Sequence, residues 1–570
     1  MAVSIYEQLS EERKEGQKSG TIPSWMVTSG YQLVKEKYLS PGESVYDRYR
    51  AIADHAGQLA DEMYPTRYGD WSDKFFDLIW KGWLSPSTPV LINMGTNKGT
   101  PVSCSGLVVD DSISGFYKAR WETAVLTKNG FGTSAYMGGI RPRGAPISVG
   151  GQALGSLPVF KGFVQDMNDV SQGNHRRGAW AGYLEADHKD FHEVADYLYN
   201  NPDNLNIGWL ITDAFLEQLS KGDKEAIARY QKIMKTRTVT GKGYMIFIDK
   251  ANRQAPQSMK DNGLSIKASN LCTEIFLPSD KDHTYTCVLS SMNADRYDEW
   301  KDTDAVFTAT VFLDCVAEAF IRQARNIEGM ENAVRFTEKS RALGLGVLGF
   351  HTYVQRKGWA MDALPTNNFN NLLFKHLQDE SITASQFMAE HQPEPEWMQG
   401  TGRRNMTTIA VAPNMSTATI CGGVSQGIEP VVANVYNQGS QAGEVERINP
   451  VLLDIMKERG VYNEGTIWSI INDKGSVQNV DWLSEDEKRV FRTAFEIDQM
   501  VLLRLASNRQ RYIDQGQSLN LFFSADEDPK YISKVHRAAA EDPRIKSLYY
   551  MRSQAGIQAS KDEDCIACEG

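Results

Sequence analysis

The chain has 570 residues, 41% of them hydrophobic, 10% aromatic and 23% charged, which excludes a disordered, fibrous or disulfide-stapled protein. Lys and Arg number 61 against 72 Asp and Glu, a formal charge of -11, which disfavours non-specific binding to nucleic acid or membranes and leaves room for a local basic pocket. At about 150 residues per domain the length allows several domains, or one large barrel that absorbs most of it.

The first segment, MAVSIYEQLSEERKEGQKSG, is charged and amphipathic and lacks the apolar core of a secretion signal. The run TATVFLDCVAEAFI is broken by Asp314 and Glu318 and falls short of the ~20 apolar residues of a membrane span. A cytoplasmic location is expected, where thiols stay reduced. The seven cysteines are then core residues by default, unless some are catalytic or hold metal.

Residues 1 to about 80 read as helical, with apolar residues at helical spacing in SVYDRYRAIADHAGQLADEMY and WSDKFFDLIWKGW. Ser85-Pro86-Ser87-Thr88-Pro89 reads as a loop. Beyond it, short apolar runs (MIFIDK, TTIAVAP, LNLFF) mix with helical patterns such as FTATVFLDCVAEAFIRQARN. That mixture predicts an α/β body with largely parallel strands. Twelve of the 46 glycines lie between Gly130 and Gly182, as expected for loops with positive φ or close backbone approaches. The last stretch, QAGIQASKDEDCIACEG, has no apolar periodicity and reads as a tail.

Several motifs carry chemistry. Gly344-Leu-Gly346-Val-Leu-Gly349 satisfies GxGxxG, but a charged, helix-like ENAVRFTEKSRA precedes it and no acidic residue follows ~20 positions on. It reads as close helix packing or a turn, not a dinucleotide site. His188 and His192 lack a third ligand, and Asp187 is expected to cap a helix bearing them. Cys565 and Cys568 form one CxxC, open to a redox role, half a metal site or none.

In Asn270-Leu-Cys272-Thr-Glu274 an extended strand would project Asn270, Cys272 and Glu274 to one side, a thiol between an amide and a carboxylate. Taken alone, Cys104 in PVSCSGLV and Cys287 in YTCVLSSMN are core cysteines, and adjacent Tyr549 and Tyr550 are core tyrosines. In APNMSTAT an apolar strand runs into Pro413, Ser416 and Thr417. That is the signature of a helix N-terminus, either simply capped or holding a phosphate.

Taken in order, SPSTPVLINMG, PVSCSGLV, the glycine-rich 130–182 region with VSQGNHRRGA, SNLCTEI, CVLSSMN, LGLGVLGFH, APNMSTAT, SLYYMR and the terminal CxxC resemble the large, catalytic subunit of class I ribonucleotide reductase, over about residues 80 to 570. The resemblance implies a ten-stranded α/β barrel of two five-stranded parallel halves. A central finger loop would carry Cys272, and an N-terminal helical region would pack against the barrel. The expected division is 1–84 helical, 85–552 barrel and 553–570 redox tail.

It implies reduction of ribonucleotides, diphosphates by expectation, to 2′-deoxyribonucleotides for DNA synthesis. Cys272 would be the transient thiyl radical, Glu274 the base on the 3′-OH and Asn270 the residue that orients substrate. Cys104 and Cys287 would be the reductant pair, Cys565 and Cys568 the shuttle to thioredoxin or glutaredoxin, and Pro413, Ser416 and Thr417 the phosphate site. Cys315 and Cys421 match no functional position. Tyr549 and Tyr550 match the relay that brings the radical from a separate metal-containing small (beta) subunit, so this chain is expected to bind no metal or other resident cofactor itself.

Adenosylcobalamin-dependent class II enzymes share the barrel and the cysteines but need no relay, and they are the nearest alternative. A non-radical thiol protein with a nucleotide-binding body is the more distant one. Arg552-Ser-Gln-Ala-Gly556 is a poor match to a glycyl-radical segment.

By the same resemblance, Asp111, Ser112 and Ile113 begin a dNTP/ATP effector site at a homodimer interface. Gln172 and Arg176 lie on the loops that would relay effector identity, where Asn174-His175-Arg176-Arg177 departs from glycine-rich versions. Only 103 residues precede Cys104, so no ATP-cone, and no dATP shut-off through one, is expected.

Overall fold

The computed structural model describes residues 5–65, 70–148, 150–172, 176–203, 205–440 and 443–554. Among them, the helical periodicity at the start becomes four helices, Ile5–Ser19, Thr28–Lys37, Val45–Met63 and Trp71–Trp80. Val45–Met63 starts at a capping box, in which Ser44 and Asp47 satisfy each other's backbone N–H groups. Its buried stripe of Tyr49, Ile52, Ala56, Leu59 and Ala60 packs on Phe75, Leu78 and Ile79 of the next helix. Gly57 permits this approach, since a Cβ there would lie 2.7 Å from the Ser72 backbone nitrogen.

The helix pair rests on Ala305–Ala324, a helix buried on nearly every face that contains Cys315. Its one buried carboxylate, Asp314, accepts hydrogen bonds from Tyr64 (2.5 Å), Arg404 (3.0 Å) and Asn405 (3.0 Å) and pairs with Arg341 at 3.5 Å. Burial alone would raise its pKa, but Arg404 and Arg341 outweigh that and hold it below the usual carboxylate range.

The sheet begins with five parallel strands, Cys104–Val108, Gly132–Tyr136, Trp180–Glu185, Asn206–Ile211 and Tyr244–Phe247, each paired with the next. All five are largely buried and read as near-continuous apolar or small-residue runs, as a sheet covered on both faces requires.

The second half is less regular. Tyr285–Asn293 and Leu343–Leu348 pair in parallel, but the order continues through single parallel bridges, Leu345 to Ile409 and Val411 to Gln517. It ends in Leu521–Phe523 paired with Met551–Ser553. The halves meet antiparallel at two seams. At one, Cys104 stands directly opposite Cys287; at the other, Ser547–Leu548 pairs with the strand Tyr244–Phe247. The Tyr549 N–H donates to Leu519 O at 2.8 Å, which links the second seam to the second half. Between the last strand of the first half and Tyr285, the chain dips inward as a loop whose base is the Ile266–Pro278 bridge and whose tip is Cys272.

Three local expectations change. Ser85–Pro89 is not loop: Leu84–Pro86 is a short strand on Tyr285–Asn293, and a helix starts at Thr88. Gly344 and Gly346 lie in a strand, where Cβ atoms would stand 2.6 Å from Leu289 Cδ2 and 2.6 Å from Ala410 O. The glycines let neighbouring strands close up beside Cys287, and only Gly349 (φ +75°) makes the turn. The helix after His188 begins at Phe191 with Asp190, not Asp187, at its N-terminus, so His188 precedes that helix and only His192 lies on it.

Candidate active site

Asn270, Cys272 and Glu274 do converge, but not as an extended strand. The segment is a tight turn, in which the Thr273 N–H donates to Asn270 O at 3.2 Å. The Asn270 side chain then staples it, with Oδ1 accepting from the N–H groups of Glu274 and Ile275, both at 3.1 Å. The same amide donates through Nδ2 to Glu274 Oε1 at 2.9 Å and to Cys104 Sγ at 3.4 Å.

Thr273 is left at φ +66°, a left-handed conformation that costs a β-branched residue roughly 1–3 kcal/mol. Surrounding hydroxyls hold the turn in place. Ser518 Oγ donates to Cys272 O (2.6 Å) and to Glu274 Oε2 (3.0 Å), Ser547 Oγ donates to Thr273 O (2.9 Å), and the Tyr183 hydroxyl donates to Asn270 O. A thiol is thus presented at the tip of a strained turn whose Asn270, Cys272 and Thr273 carbonyl oxygens are engaged.

Cys104 and Cys287 are registered across an antiparallel ladder, where opposed Cα atoms lie about 4.5–5.5 Å apart, inside the range a disulfide spans. Both are buried thiols. Burial pushes the Cys287 thiol well above its ordinary pKa, and the neighbouring Cys104 adds to that. Gln515 Nε2 lies 3.5 Å from Cys287 Sγ and is a donor to it.

Tyr549 and Tyr550 lie with ring centroids 4.3 Å apart and planes tilted by 50°, and Tyr244 lies 4.8 and 5.2 Å from them. These rings share one buried cluster with Cys104, Cys272 and Cys287. Ser547, two residues before the pair, is the residue that grips the Cys272 turn. The Arg552 guanidinium caps the outer ring, 4.4 Å from the Tyr550 centroid.

Pro413 is buried, and Asn414 adopts φ +56°, which Asn tolerates, to start the helix Met415–Ile420. Asn414 ties that start to the barrel. Its Oδ1 accepts from Ser291 Oγ (3.1 Å) and Thr417 Oγ1 (3.4 Å), and its Nδ2 donates to Val347 O (3.0 Å). No side chain caps the helix, and the N–H groups of its first turn, including those of the buried Ser416 and Thr417, have no intrahelical acceptor.

In the predicted effector region, Ser112 caps the helix Ile113–Lys128, Asp111 pairs with Arg141 at 2.6 Å, and Ile113 is exposed. The backbones of Ser171-Gln172 and Arg176-Arg177 pair antiparallel. The side chains of Gln172 and Arg176 lie outside what is described, as do Cys565 and Cys568 altogether.

Cys315 and Cys421 are buried elsewhere, with thiols raised by burial, Cys421 to about 11. Sequence reasoning missed Gln515, Ser518, Tyr183 and Tyr244. Of these, only the run of polar residues in DQGQSLN, flanked by apolar ones, hinted at buried work.

Residues 102–551 match the family "Ribonucleotide reductase, barrel domain" in three overlapping stretches (102–229, 225–401 and 395–551), and residues 27–99 match "Ribonucleotide reductase, all-alpha domain". A protein of frog virus 3 (isolate Goorha), described as a ribonucleoside-diphosphate reductase large subunit, is 34% identical over 546 residues, 90% of this chain and 95% of that one. The vitamin B12-dependent ribonucleoside-diphosphate reductase of Thermoplasma acidophilum is 29% identical over 86% of this chain and 66% of its own. Among solved structures, the class Id ribonucleotide reductase alpha subunit of Actinobacillus ureae superposes with a TM-score of 0.86 at 36% identity. The match covers 93% of this chain and 98% of that one. A barrel whose seam opposes two thiols, with a third on a loop at its centre, therefore belongs to the ribonucleotide reductase large-subunit family, and the reaction of this enzyme is the reduction of ribonucleotides.

Proposed function

We propose that the chain reduces ribonucleoside diphosphates by thiyl-radical chemistry, with the oxidising equivalent supplied by a separate metal-containing small subunit and carried inward through Tyr550 and Tyr549. The observation that carries this reading is the tether between the tyrosine strand and the Cys272 turn, within one buried cluster that also holds Cys104 and Cys287.

The Cys272 sulfur radical takes the 3′-hydrogen atom, and Glu274 accepts the 3′-OH proton while Asn270 orients both. The 2′-OH takes a proton from one thiol of the Cys104 and Cys287 pair and leaves as water, C2′ takes the hydrogen of the other, and Glu274 returns its proton to the 3′ oxygen. The two electrons come from the Cys104 and Cys287 thiols, which close a disulfide. Cys272 returns the hydrogen atom to C3′, and the radical goes back along the relay. Nucleotide and dithiol thus become deoxynucleotide, water and disulfide.

Pro413, Ser416 and Thr417 hold the diphosphate. A deoxynucleotide or ATP effector sits at Asp111, Ser112 and Ile113 on a homodimer interface, with Gln172 and Arg176 on the connecting loop. Cys565 and Cys568 pass electrons from thioredoxin or glutaredoxin. We assign residues 1–84, 85–552 and 553–570 to helical region, barrel and tail, and the cytoplasm as the working compartment. No helix among the described residues is long and apolar enough to cross a membrane.

The test is reconstitution with a class I small subunit, and separately with adenosylcobalamin. The reading predicts activity with the former alone and its loss in Tyr549→Phe. Activity with adenosylcobalamin alone, or a fully active Tyr549→Phe, contradicts it.

A further inference from the structure

Two carboxamides touch the reductant pair, one at each sulfur. Asn270 donates to Cys104 at 3.4 Å and to the Glu274 carboxylate at 2.9 Å, one amide hydrogen for each. Gln515 reaches Cys287 at 3.5 Å and is held from three sides. Its Oε1 accepts from the Phe276 N–H (3.2 Å), and its Nε2 also lies within bonding distance of Leu343 O (2.9 Å) and Thr407 Oγ1 (3.0 Å). Its backbone carbonyl accepts from Lys546 Nζ at 2.5 Å, and the same nitrogen bonds Asp514 O at 2.9 Å. Lys546 is itself buried, with its pKa brought down by burial to about 7. A lysine placed there is costly unless its nitrogen is engaged, and what it engages is the carbonyl of the residue that contacts Cys287.

The two residues also differ slightly in exposure. Cys104 retains 3% exposure, whereas Cys287 retains none. In thiol–disulfide exchange the outcome depends on which sulfur can be reached and which leaves as the more stable thiolate. Here the less buried residue and the one beside the more firmly fixed carboxamide, whose two amide hydrogens are divided among Leu343 O, Thr407 Oγ1 and Cys287 Sγ, are opposite partners.

We propose that Gln515 is a positioning residue for re-reduction. It directs the incoming thiolate to Cys104 and receives Cys287 as the hydrogen-bonded leaving thiolate. The inference rests on the reading that Cys104 and Cys287 form a disulfide in each turnover. In the first step the bond from the incoming sulfur to Cys104 forms as the Cys104–Cys287 bond breaks, and the electron pair stays on Cys287, which then takes a proton. A second thiolate of the reductant attacks the sulfur of the first, forms the reductant's own disulfide and releases Cys104, which is protonated in turn. One dithiol is oxidised and one disulfide reduced. Cys287, with a pKa raised by burial, would be the poorer leaving group without a donor, and this is the deficit Gln515 corrects.

The test uses the full chain carrying Cys565→Ser and Cys568→Ser, taken through one turnover with its small subunit and exposed to 2-mercaptoethanol. Acid quenching, alkylation of free thiols and peptide mapping then locate the adduct. The account predicts 2-mercaptoethanol on Cys104 and the alkyl label on Cys287. With Gln515→Met, opening should slow about 10- to 100-fold and the adduct should divide between both cysteines. Gln515→Glu keeps the size and the acceptor for the Phe276 N–H but removes the donor, so it should behave like Gln515→Met; a purely packing role would leave it native. An adduct on Cys287 in the parent, or unchanged rate and partition in both variants, overturns the inference. Absence of any Cys104–Cys287 disulfide after turnover overturns the underlying reading as well.

Discussion

In the first half of the barrel, five strands from Cys104 to Phe247 pair without interruption, and the half contributes one of the reacting sulfurs, Cys104. In the second half, regular pairing lapses after Leu348 into single bridges at Ile409 and Gln517 before Leu521–Phe523 pairs with Met551–Ser553, and side chains supplement the backbone bonds that remain. Asp514 accepts from the N–H groups of Thr408 (2.7 Å) and Ile409 (2.9 Å), and Asn405 bonds Arg341 O (3.0 Å). Asn414 bonds Val347 O (3.0 Å), and Gln515 bonds the Phe276 N–H. An unbroken ladder uses its N–H and C=O groups on itself, whereas a broken one leaves them to be met by side chains, which can then also face a substrate. Cys287, the Asn414 helix start, Gln515, Ser518 and the tyrosine pair all belong to the interrupted half.

Substitutions can break this contrast, beginning with the largest effect. Cys272→Ser is expected to lower nucleotide reduction by more than about 10³-fold while the chain folds normally, read by product formation and thermal unfolding together. Glu274→Gln keeps the hydrogen bond to Asn270 within reach but removes the base, and turnover should fall about 10²–10⁴-fold.

In stability, Asp314→Ala should be the costliest change. It strips Arg404 of its carboxylate partner and leaves Arg341 with Glu318 alone, both arginines preceding strand positions of the interrupted half, and about 3–5 kcal/mol should be lost in urea unfolding. Because the Asp314 pKa lies below its unfolded value near 3.9, its contribution is complete above that pH and disappears as pH falls through the folded pKa. The parent should therefore lose more stability than Asp314→Asn between about pH 6 and pH 3.

Gly344→Ala forces a Cβ to within 3.1 Å of Cys287 Sγ and 2.6 Å of Leu289 Cδ2, with an expected cost of about 1–3 kcal/mol. The smallest effect belongs to the regular half. Thr133→Val removes only a hydroxyl bond to Ala179 O at 3.3 Å, and the backbone ladder survives, so about 1 kcal/mol or less is expected. A Thr133 variant as damaging as Asp314→Ala would end the distinction between the halves.

The same contrast marks what could be read in advance. The runs MIFIDK and LNLFF announced strands, whereas TTIAVAP holds only two single bridges, and the ordered motifs announced the barrel. The meeting of Asn270 with Glu274 was anticipated for the wrong reason, because alternation along a strand and a tight Asx-stapled turn both bring positions i and i+4 together. A β-branched Thr273 at positive φ carries no local signal, since its conformation is imposed by Ser518 and Ser547 from more than two hundred residues away. Gln515 and Lys546 were invisible for the same reason. A glutamine beside an aspartate reads as a solvent-facing pair until the fold shows the glutamine buried and the aspartate half-buried. Ser85–Pro89 looked like loop because two prolines dominate it, yet one ends a strand and the other lies in the first turn of a helix.

The most direct test of the account is a thiol census after one turnover. The full chain, fully reduced and freed of external thiol, is mixed with its small subunit and a ribonucleoside diphosphate, quenched in acid, alkylated and mapped. With Cys565→Ser and Cys568→Ser present, the account predicts one Cys104–Cys287 disulfide for each deoxynucleotide formed, with Cys315 and Cys421 still free. Deoxynucleotide formed while Cys104 and Cys287 both remain alkylatable would contradict it.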